Sequence, residues 1–497
     1  METPLPIVLL GVPVHNLSAE EALDRVLRDA EERRPCHVVT SNLDFLRQSR
    51  TDPEMHRIHL DADLVLADGM PLLWLSRLFG CPLKERVAGS DLVPRLAERA
   101  RAAGLSVFAV GGAPGVAERA LRVLSERFPG LRVSGWMSPP VAPLLRMETD
   151  EIRDRVLETK PHILFVALGT PKQEKWIRLL HAEGGMAVAV GIGGSLDFLA
   201  GTQVRAPRVF QRLGLEWLWR LLGSPRRLFG RYAGDFAYLI GMLARAALVR
   251  LSPRGRVPAG AWPDDDRLAR RGAVWMAFPR LPDPAAAAAF AAEVEARRRG
   301  GPVVLDLSAA GWLDSVELGV LAHVARECRI DGGRLFAVCV APRVRRLLRL
   351  FRMDRFLEIP EDGPALEREL DRLSGAATRI RLHRAGARLQ ALLPREFAGP
   401  VVQRAREELL SAWREGGMTE VVVDAARTEY VDGAGARLLL AFQRLVERGG
   451  EGSLWILGLS AELLERLKKD GHDLARVDRR KRFRIAEAVE PVAGGGP

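Results

Sequence analysis

Cysteine and tyrosine are scarce in this 497-residue chain, with four of the first and three of the second. Cys36, Cys81, Cys328 and Cys339 lie far apart with no CxxC pair, which excludes a disulfide framework and a cysteine zinc site and fits a reducing compartment. The histidines, among them His15, His37, His56, His59 and His162, form no constellation with metal-ligand spacing, and no metal is expected. The start of the chain lacks a basic n-region, with Glu2 in its place. Ile7 to Leu10 is too short for a signal-peptide core and reads as a first strand. A clean membrane span is missing too. Tyr232 to Val249 is apolar but carries Asp235 and Arg245 and falls short of the roughly 20 apolar residues a span needs, so it reads as an interfacial or packed helix.

The length calls for about three domains at ~100 to 200 residues each. A hydrophobic fraction of 47% with 28% charged residues excludes a disordered chain. The net charge of +11 is concentrated: from Gly201 to Arg256 there are eleven arginines against only Glu216 and Asp235. One basic block interleaved with Trp and Leu suits anionic lipid headgroups. A nucleic-acid groove would instead spread its cations, so no nucleic-acid partner is expected.

From Ile7 to about Ile192, short apolar strands (Val38 to Thr40, Leu64 to Ala67, Val107 to Val110, Ile163 to Ala167, Ala187 to Val190) alternate with helical stretches. This predicts a mainly parallel sheet covered on both faces, a Rossmann-like α/β domain. Ser18-Ala-Glu-Glu21 reads as a capping box. The Pro-, Gly-, Asp- and Arg-rich stretch after Leu251 reads as a linker. Beyond it a plan repeats at about 115 residues: Val303-Val-Leu-Asp306 then Leu313-Asp314-Ser315, and Val421-Val-Val-Asp424 then Val431-Asp432-Gly433, with eight residues from strand Asp to turn Asp each time. The expected organisation is 1–251, with an Arg-rich appendage at about 203–251, a linker at 252–271, and two small α/β domains at 272–375 and 378–490.

Thr40-Ser-Asn42 and Asp68-Gly69-Met-Pro71 each follow a strand, at the carboxyl edge where open α/β sheets bind ligands. Asp68 there suits a general base, with Thr40 and Asn42 as hydrogen-bonding positioners. Asn and Asp also form turns ahead of helices for purely structural reasons. Gly111-Gly112-Ala-Pro-Gly115 is a strand, a glycine turn and a helix start. It presents N–H groups to a phosphate or simply relieves backbone strain. Gly169-Thr-Pro171-Lys-Gln173-Glu174 and Gly191-Ile-Gly193-Gly-Ser195, then Asp197, repeat the design, with Gln173 and Glu174 facing the same edge. Glycine loops and polar groups converging on one edge suit a nucleotide-sugar. Asp61-Ala-Asp63 has the spacing of a metal-binding carboxylate pair but precedes its strand, and reads as a turn.

These stretches, with Arg86-Val-Ala-Gly-Ser-Asp91, Glu216-Trp-Leu-Trp-Arg220 and Pro225-Arg-Arg-Leu228, resemble the WecG/TagA/CpsF glycosyltransferases over Ile7 to about residue 250. The resemblance implies an inverting, metal-independent and cofactor-free transferase. It would move an N-acetylmannosamine-like sugar from a UDP donor to a polyprenyl-diphosphate-linked acceptor in cell-surface polysaccharide synthesis. Such an enzyme is cytoplasmic and peripheral on the inner membrane face. The resemblance also implies roles: Asp68 as base, Thr40 and Asn42 orienting substrate, Arg86 and Gln173 in the active site, and Arg220, Arg227 and Arg231 facing the diphosphate, as bidentate guanidinium forks do.

Val303 to Ile359, through Leu313-Asp-Ser315, Leu318-Gly-Val-Leu321 and Val344-Arg-Arg-Leu-Leu348, resembles a STAS domain, and the second repeat is a diverged copy. The resemblance places Ser315 at a kinase-target position. Glu317 beside it would repel a phosphate, which favours Ser315 as a simple helix cap. Gly433 in the second copy has no hydroxyl. The pair is expected to bind a protein partner or kinase. The alternative reading is a signalling or scaffold protein whose transferase domain senses nucleotide-sugars.

Overall fold

The computed structural model describes the chain apart from residues 1–4, 140–148, 183, 185–186, 213, 258–261, 299, 332, 376–379, 395, 415–419, 449–452, 461–462, 466–482 and 487–497. The chain forms two compact units. The first is Met1–Ile177, Gly185–Cys328 and Arg334–Gly363; the second is Arg178–Gly184, Arg329–Gly333 and Pro364–Pro497.

The first unit is built on a six-stranded parallel sheet in the order Leu64–Ala67, Cys36–Ser41, Val188–Gly191, Ile163–Ala167, Ser106–Gly111, Arg132–Met137. All but the last strand are buried along nearly their whole length, which is why they read as unbroken apolar runs. Helices Ala19–Glu31, Gly89–Ala102 and Val116–Arg127 cover one face. Helices Leu43–Thr51, Pro53–Asp61 and Met70–Leu78 supply core side chains on the other. The capping box is formed, Ser18 Oγ accepting from Glu21 N and Glu21 Oε2 from Ser18 N.

Ile7 to Leu9 lies in a strand, as the sequence reading expects, but outside the six-stranded sheet. Pro6–Leu9 pairs antiparallel with Val12–His15 in a separate hairpin. Gly11, at φ +92°, makes the turn that a side chain would strain. The edge strand Arg132–Met137 carries too much polar surface to show as a buried run. Asp61 ends a helix, and Asp63 accepts from His37 N, as a turn reading expects.

After helices Arg208–Arg212 and Glu216–Gly223 comes a 27-residue helix, Pro225–Leu251. Leu228, Asp235, Met242 and Ala246 lie on its buried face. The stretch read as a linker includes a short helix, Asp265–Ala269, whose Leu268 is fully buried.

The first small domain follows within the same unit, with parallel strands ordered Leu357–Glu358, Leu335–Val338, Val303–Asp306, Val274–Ala277. In the second unit, Arg381–Ala385 pairs antiparallel with Arg388–Leu392. Glu420–Asp424, Ser453–Leu457 and Phe483–Ala486 then follow in parallel. The two segments agree at their turns. Asp314 and Asp432 each stand before a helix, Ser315–Ile330 and Gly433–Arg448, and accept from its first N–H groups. Ser315 is therefore not the cap. The carboxylate one residue earlier takes that place, completed by Glu317 Oε2 accepting from Asp314 N at 3.0 Å.

Candidate active site

The carboxyl ends of the six strands carry two neighbouring cavities. The larger, about 1530 Å³, is an open cleft over Gly111, Gly112, Gly169, Lys172, Gly193, Gly194 and Asp197. Two of its glycines are sterically required. At φ +116° a Cβ on Gly111 would stand 2.3 Å from the Ala167 carbonyl oxygen, and at φ +73° one on Gly112 would stand 2.7 Å from Val116. Gly169 and Gly193 also have positive φ but open space where a Cβ would be, so bare backbone borders the cleft. Asp197 Oδ1 accepts from the Thr202 hydroxyl at 3.0 Å.

The smaller cavity, about 110 Å³, is lined by Asn42, Asp68, Met70, Arg86, Glu216, Trp217, Arg220, Arg231, Tyr232 and Asp235. Arg220, Arg231 and Tyr232 border both spaces. Arg220 stacks over Phe198 at 5.1 Å and Arg231 over Tyr232 at 5.1 Å, which holds two flexible cations at the boundary.

Asp68 follows strand Leu64–Ala67 and is anchored through its N–H to the Ser41 carbonyl, 2.8 Å away. Burial pushes its carboxyl above the ordinary aspartate value. Arg220 and Arg86 pull it back, Glu216 adds to the rise, and a hydrogen bond from the Gly89 backbone opposes it. A carboxylate so placed is a stronger base than one in water.

Arg86 is held between two carboxylates. It pairs with Glu216 and, at 3.3 Å, with Asp91. Arg205 completes the network, 2.7 Å from Asp91 and 3.5 Å from Glu216. On the far wall Arg47 Nε donates to Asp235 at 2.6 Å, and its Nη2 donates to Asp44 at the same distance. Burial raises Asp235 to about 6, with Asp44 adding and Arg47 opposing.

Thr40, Gln173 and Glu174 stand behind this surface. The Thr40 hydroxyl donates to the Gly191 carbonyl at 2.7 Å and ties two strand ends together. Gln173 and Glu174 are almost wholly buried. Gln173 Nε2 donates to Glu174 Oε1 at 2.6 Å, and Gln173 Oε1 accepts from Gly193 N at 3.2 Å. The pair thus sets the position of the glycine loop from beneath, where the sequence placed it facing the edge. Burial lifts Glu174 to about 7, opposed by the hydrogen bonds from Gln173 and Thr170. Pro171 begins this helix turn through a cis peptide after Thr170. Asn42 makes the turn-forming contact read for it, its Oδ1 accepting from Asp44 N at 3.0 Å, and it is also among the residues lining the small cavity. Arg227 lies on the long helix, but its side chain is outside the described residues; Arg226 borders the cleft.

Sequence reasoning missed Glu216, Trp217, Asp235, Arg47 and Arg205. Glu216 and Asp235 carried a signal, as the only two acids in a block of eleven arginines. Arg47 carried none. Among the described residues no group of three or more His, Cys, Asp or Glu gathers as a metal site.

Residues 7–252 match the glycosyl transferase WecG/TagA/CpsF family, and residues 282–359 match a STAS domain family. A Bacillus spizizenii protein named N-acetylglucosaminyldiphosphoundecaprenol N-acetyl-beta-D-mannosaminyltransferase is 34% identical over 197 residues, 40% of this chain and 75% of that protein. Two Staphylococcus aureus proteins of the same name, from strains MW2 and NCTC 8325, are each 29% identical over 191 residues, 38% of this chain and 73% of theirs.

Proposed function

Since the chain belongs to the WecG/TagA/CpsF glycosyltransferase family, we propose that it moves an N-acetylmannosamine-like sugar from UDP to a polyprenyl-diphosphate-linked acceptor, with inversion and without a metal. The observation that carries this reading is the pair of cavities joined at Arg220, Arg231 and Tyr232. The cleft offers backbone N–H groups and a helix start to a diphosphate, and it is large enough for a nucleotide-sugar. The small cavity offers Asp68, a carboxylate of raised basicity beside Arg220 and Arg86, while Asp235, which also lines it, is engaged by Arg47.

In this scheme the acceptor hydroxyl enters the small cavity and gives its proton to Asp68. Its oxygen attacks the anomeric carbon from the face opposite the diphosphate as the bond to UDP breaks. Arg220, Arg226 and Arg231 neutralise the charge that grows on the departing diphosphate. Gln173 and Glu174 act as positioning residues through the Gly193 loop.

Membrane contact would come from the long helix. Leu228–Leu251 is, among the described residues, one helix long and apolar enough to cross a bilayer by length and composition. Its buried face, with the Asp235–Arg47 pair, packs on the protein. Its outer face shows Phe229, Ile240, Leu248 and Leu251 at 67–81% exposure, and Arg245 on the same helix is exposed as well. That suits a helix lying in the headgroup region.

UDP release from a UDP-sugar panel, with a short polyprenyl-diphosphate-GlcNAc acceptor and chelator present, tests the reading. Acceptor-dependent release that Asp68→Asn abolishes supports it. Donor bound with no release by the wild type would sink it and favour a nucleotide-sugar sensor.

A further inference from the structure

The STAS-matching domain and the transferase share one continuous hydrophobic core. It runs from the hairpin (Ile7 to Leu10, Val12, Val14) and helix Met70–Leu78 (Leu72, Leu73, Leu75), through Met242 of the long helix, to Leu318, Leu321, Ala322, Val344, Leu347, Leu348 and Phe351 of the small domain. Two glycines, one on each side, let backbone meet backbone across this seam. A Cβ on Gly319 would lie 1.9 Å from the Pro6 carbonyl oxygen, and one on Gly11 would lie 2.3 Å from that of Phe351. Gly319 sits inside a helix, where alanine is the better residue by about 1 kcal/mol. Its presence is explained by the close approach.

Polar contacts frame the apolar seam. Arg326 donates to Asp63 at 3.0 Å, Arg50 to the Leu350 carbonyl at 3.2 Å, and His56 meets Phe356 edge-on at 4.9 Å. Ser315 is only 6% exposed, and the Cys81 side chain lies against the backbone of Val316 and Ser315. At the far end, Arg343 Nε donates at 2.7 Å to the carbonyl of Ser252, the residue that ends the long helix, and Arg250 lies over Trp312 at 5.3 Å. A cation on the last carbonyls of a helix complements its dipole.

We infer that the partner of this STAS surface is the chain's own transferase domain: residues 282–359 grip the C-terminal half of helix Pro225–Leu251 so that its N-terminal half, with Arg231, Tyr232 and Asp235, stays over the active site. The surface around Ser315 is then occupied in cis, and a kinase or partner protein reaches it only when the seam opens. The link to activity rests on the transferase reading above; the docking itself does not.

The test is amide hydrogen exchange of the full-length chain, wild type against Gly319→Ala, with UDP release measured in parallel. The expected result is exchange at least about tenfold faster in the hairpin 6–15 and helix 225–251, with strands 303–306 and 335–338 still protected. Turnover should fall on the order of tenfold to a hundredfold, as misplaced reacting groups do. Unchanged exchange in the hairpin and the long helix would overturn the proposal, as would loosening with undiminished turnover. Should Gly319→Ala lose protection everywhere, Arg343→Ala decides. Faster exchange confined to the end of the long helix supports the grip, and unchanged exchange overturns it. A wild type that releases no UDP defeats the transferase reading while leaving the exchange result to judge the docking.

Discussion

The two cavities are made of different material. Glycine loops share the large cleft with side chains such as Lys172, Trp219 and Arg226, while the small cavity is walled by charged and aromatic side chains from segments as far apart as Asn42 and Phe236. Loop N–H groups recognise what all diphosphates share. A side-chain cavity fixes where one proton goes and which charge is neutralised. Binding and chemistry should therefore be separable by mutation, cavity by cavity.

The largest expected effect is at the base. Asp68→Asn keeps shape and loses proton affinity, so turnover should fall by about 10²- to 10⁴-fold while UDP-sugar affinity, read by calorimetry, stays near that of the wild type. An equal loss of donor binding would erase the distinction between the cavities.

Gly111→Ala probes the other side. The new methyl would meet the Ala167 carbonyl at a backbone angle that side chains rarely adopt, a strain of about 1–3 kcal/mol. A lower urea midpoint and weaker UDP affinity are expected, with the pH profile of turnover unmoved. A shift in that profile would show that the cleft loop also tunes the base.

The same contrast explains what the sequence revealed. Glycine turns after buried strands announce themselves, because a positive φ at a strand end leaves few residue choices, and Gly111, Gly112, Gly169 and Gly193 were all legible for that reason. Asp68, Asn42 and Arg86 came from local position and family resemblance. The Arg47–Asp235 pair spans 188 positions, Arg86–Glu216 spans 130 and Arg205–Asp91 spans 114, and nothing local marks such a pair. Gln173 and Glu174 were seen, yet their direction was not. A motif gives spacing, whereas burial beneath Gly193 is a property of the packed sheet. The first strand was legible but its pairing was not, because four apolar residues fit a strand of the main sheet and a hairpin strand equally well.

A smaller effect sharpens the small cavity. Glu216 raises the Asp68 carboxyl, and Arg86 and Arg220 lower it. Glu216→Gln removes the opposing charge and frees Arg86, so Asp68 should stay ionised to lower pH and become a weaker base. The acid limb of the turnover profile should move to lower pH, with a modest drop in the plateau. A limb that moves upward would mean that Glu216 acts mainly by holding Arg86 in place.

The smallest effect on activity belongs to Glu174, and it separates support from contact. Its carboxyl titrates near 4.5 when unfolded and at about 7 in the folded chain. The proton is held more tightly in the folded state, so this contribution to stability is complete below the unfolded value and is lost as pH rises through 7. At ~1.4 kcal/mol per unit the loss amounts to a few kcal/mol once the group is ionised. Glutamine in its place can still accept from Gln173 and donate to the Thr170 hydroxyl, so Glu174→Gln should flatten the stability profile between pH 4.5 and 7 and stabilise the chain at pH 8. Donor affinity should stay within about twofold, since the side chain is fully buried behind the cleft. A large loss of donor affinity with stability unchanged would put Glu174 in contact with the nucleotide, and the cleft would then owe part of its selectivity to a side chain.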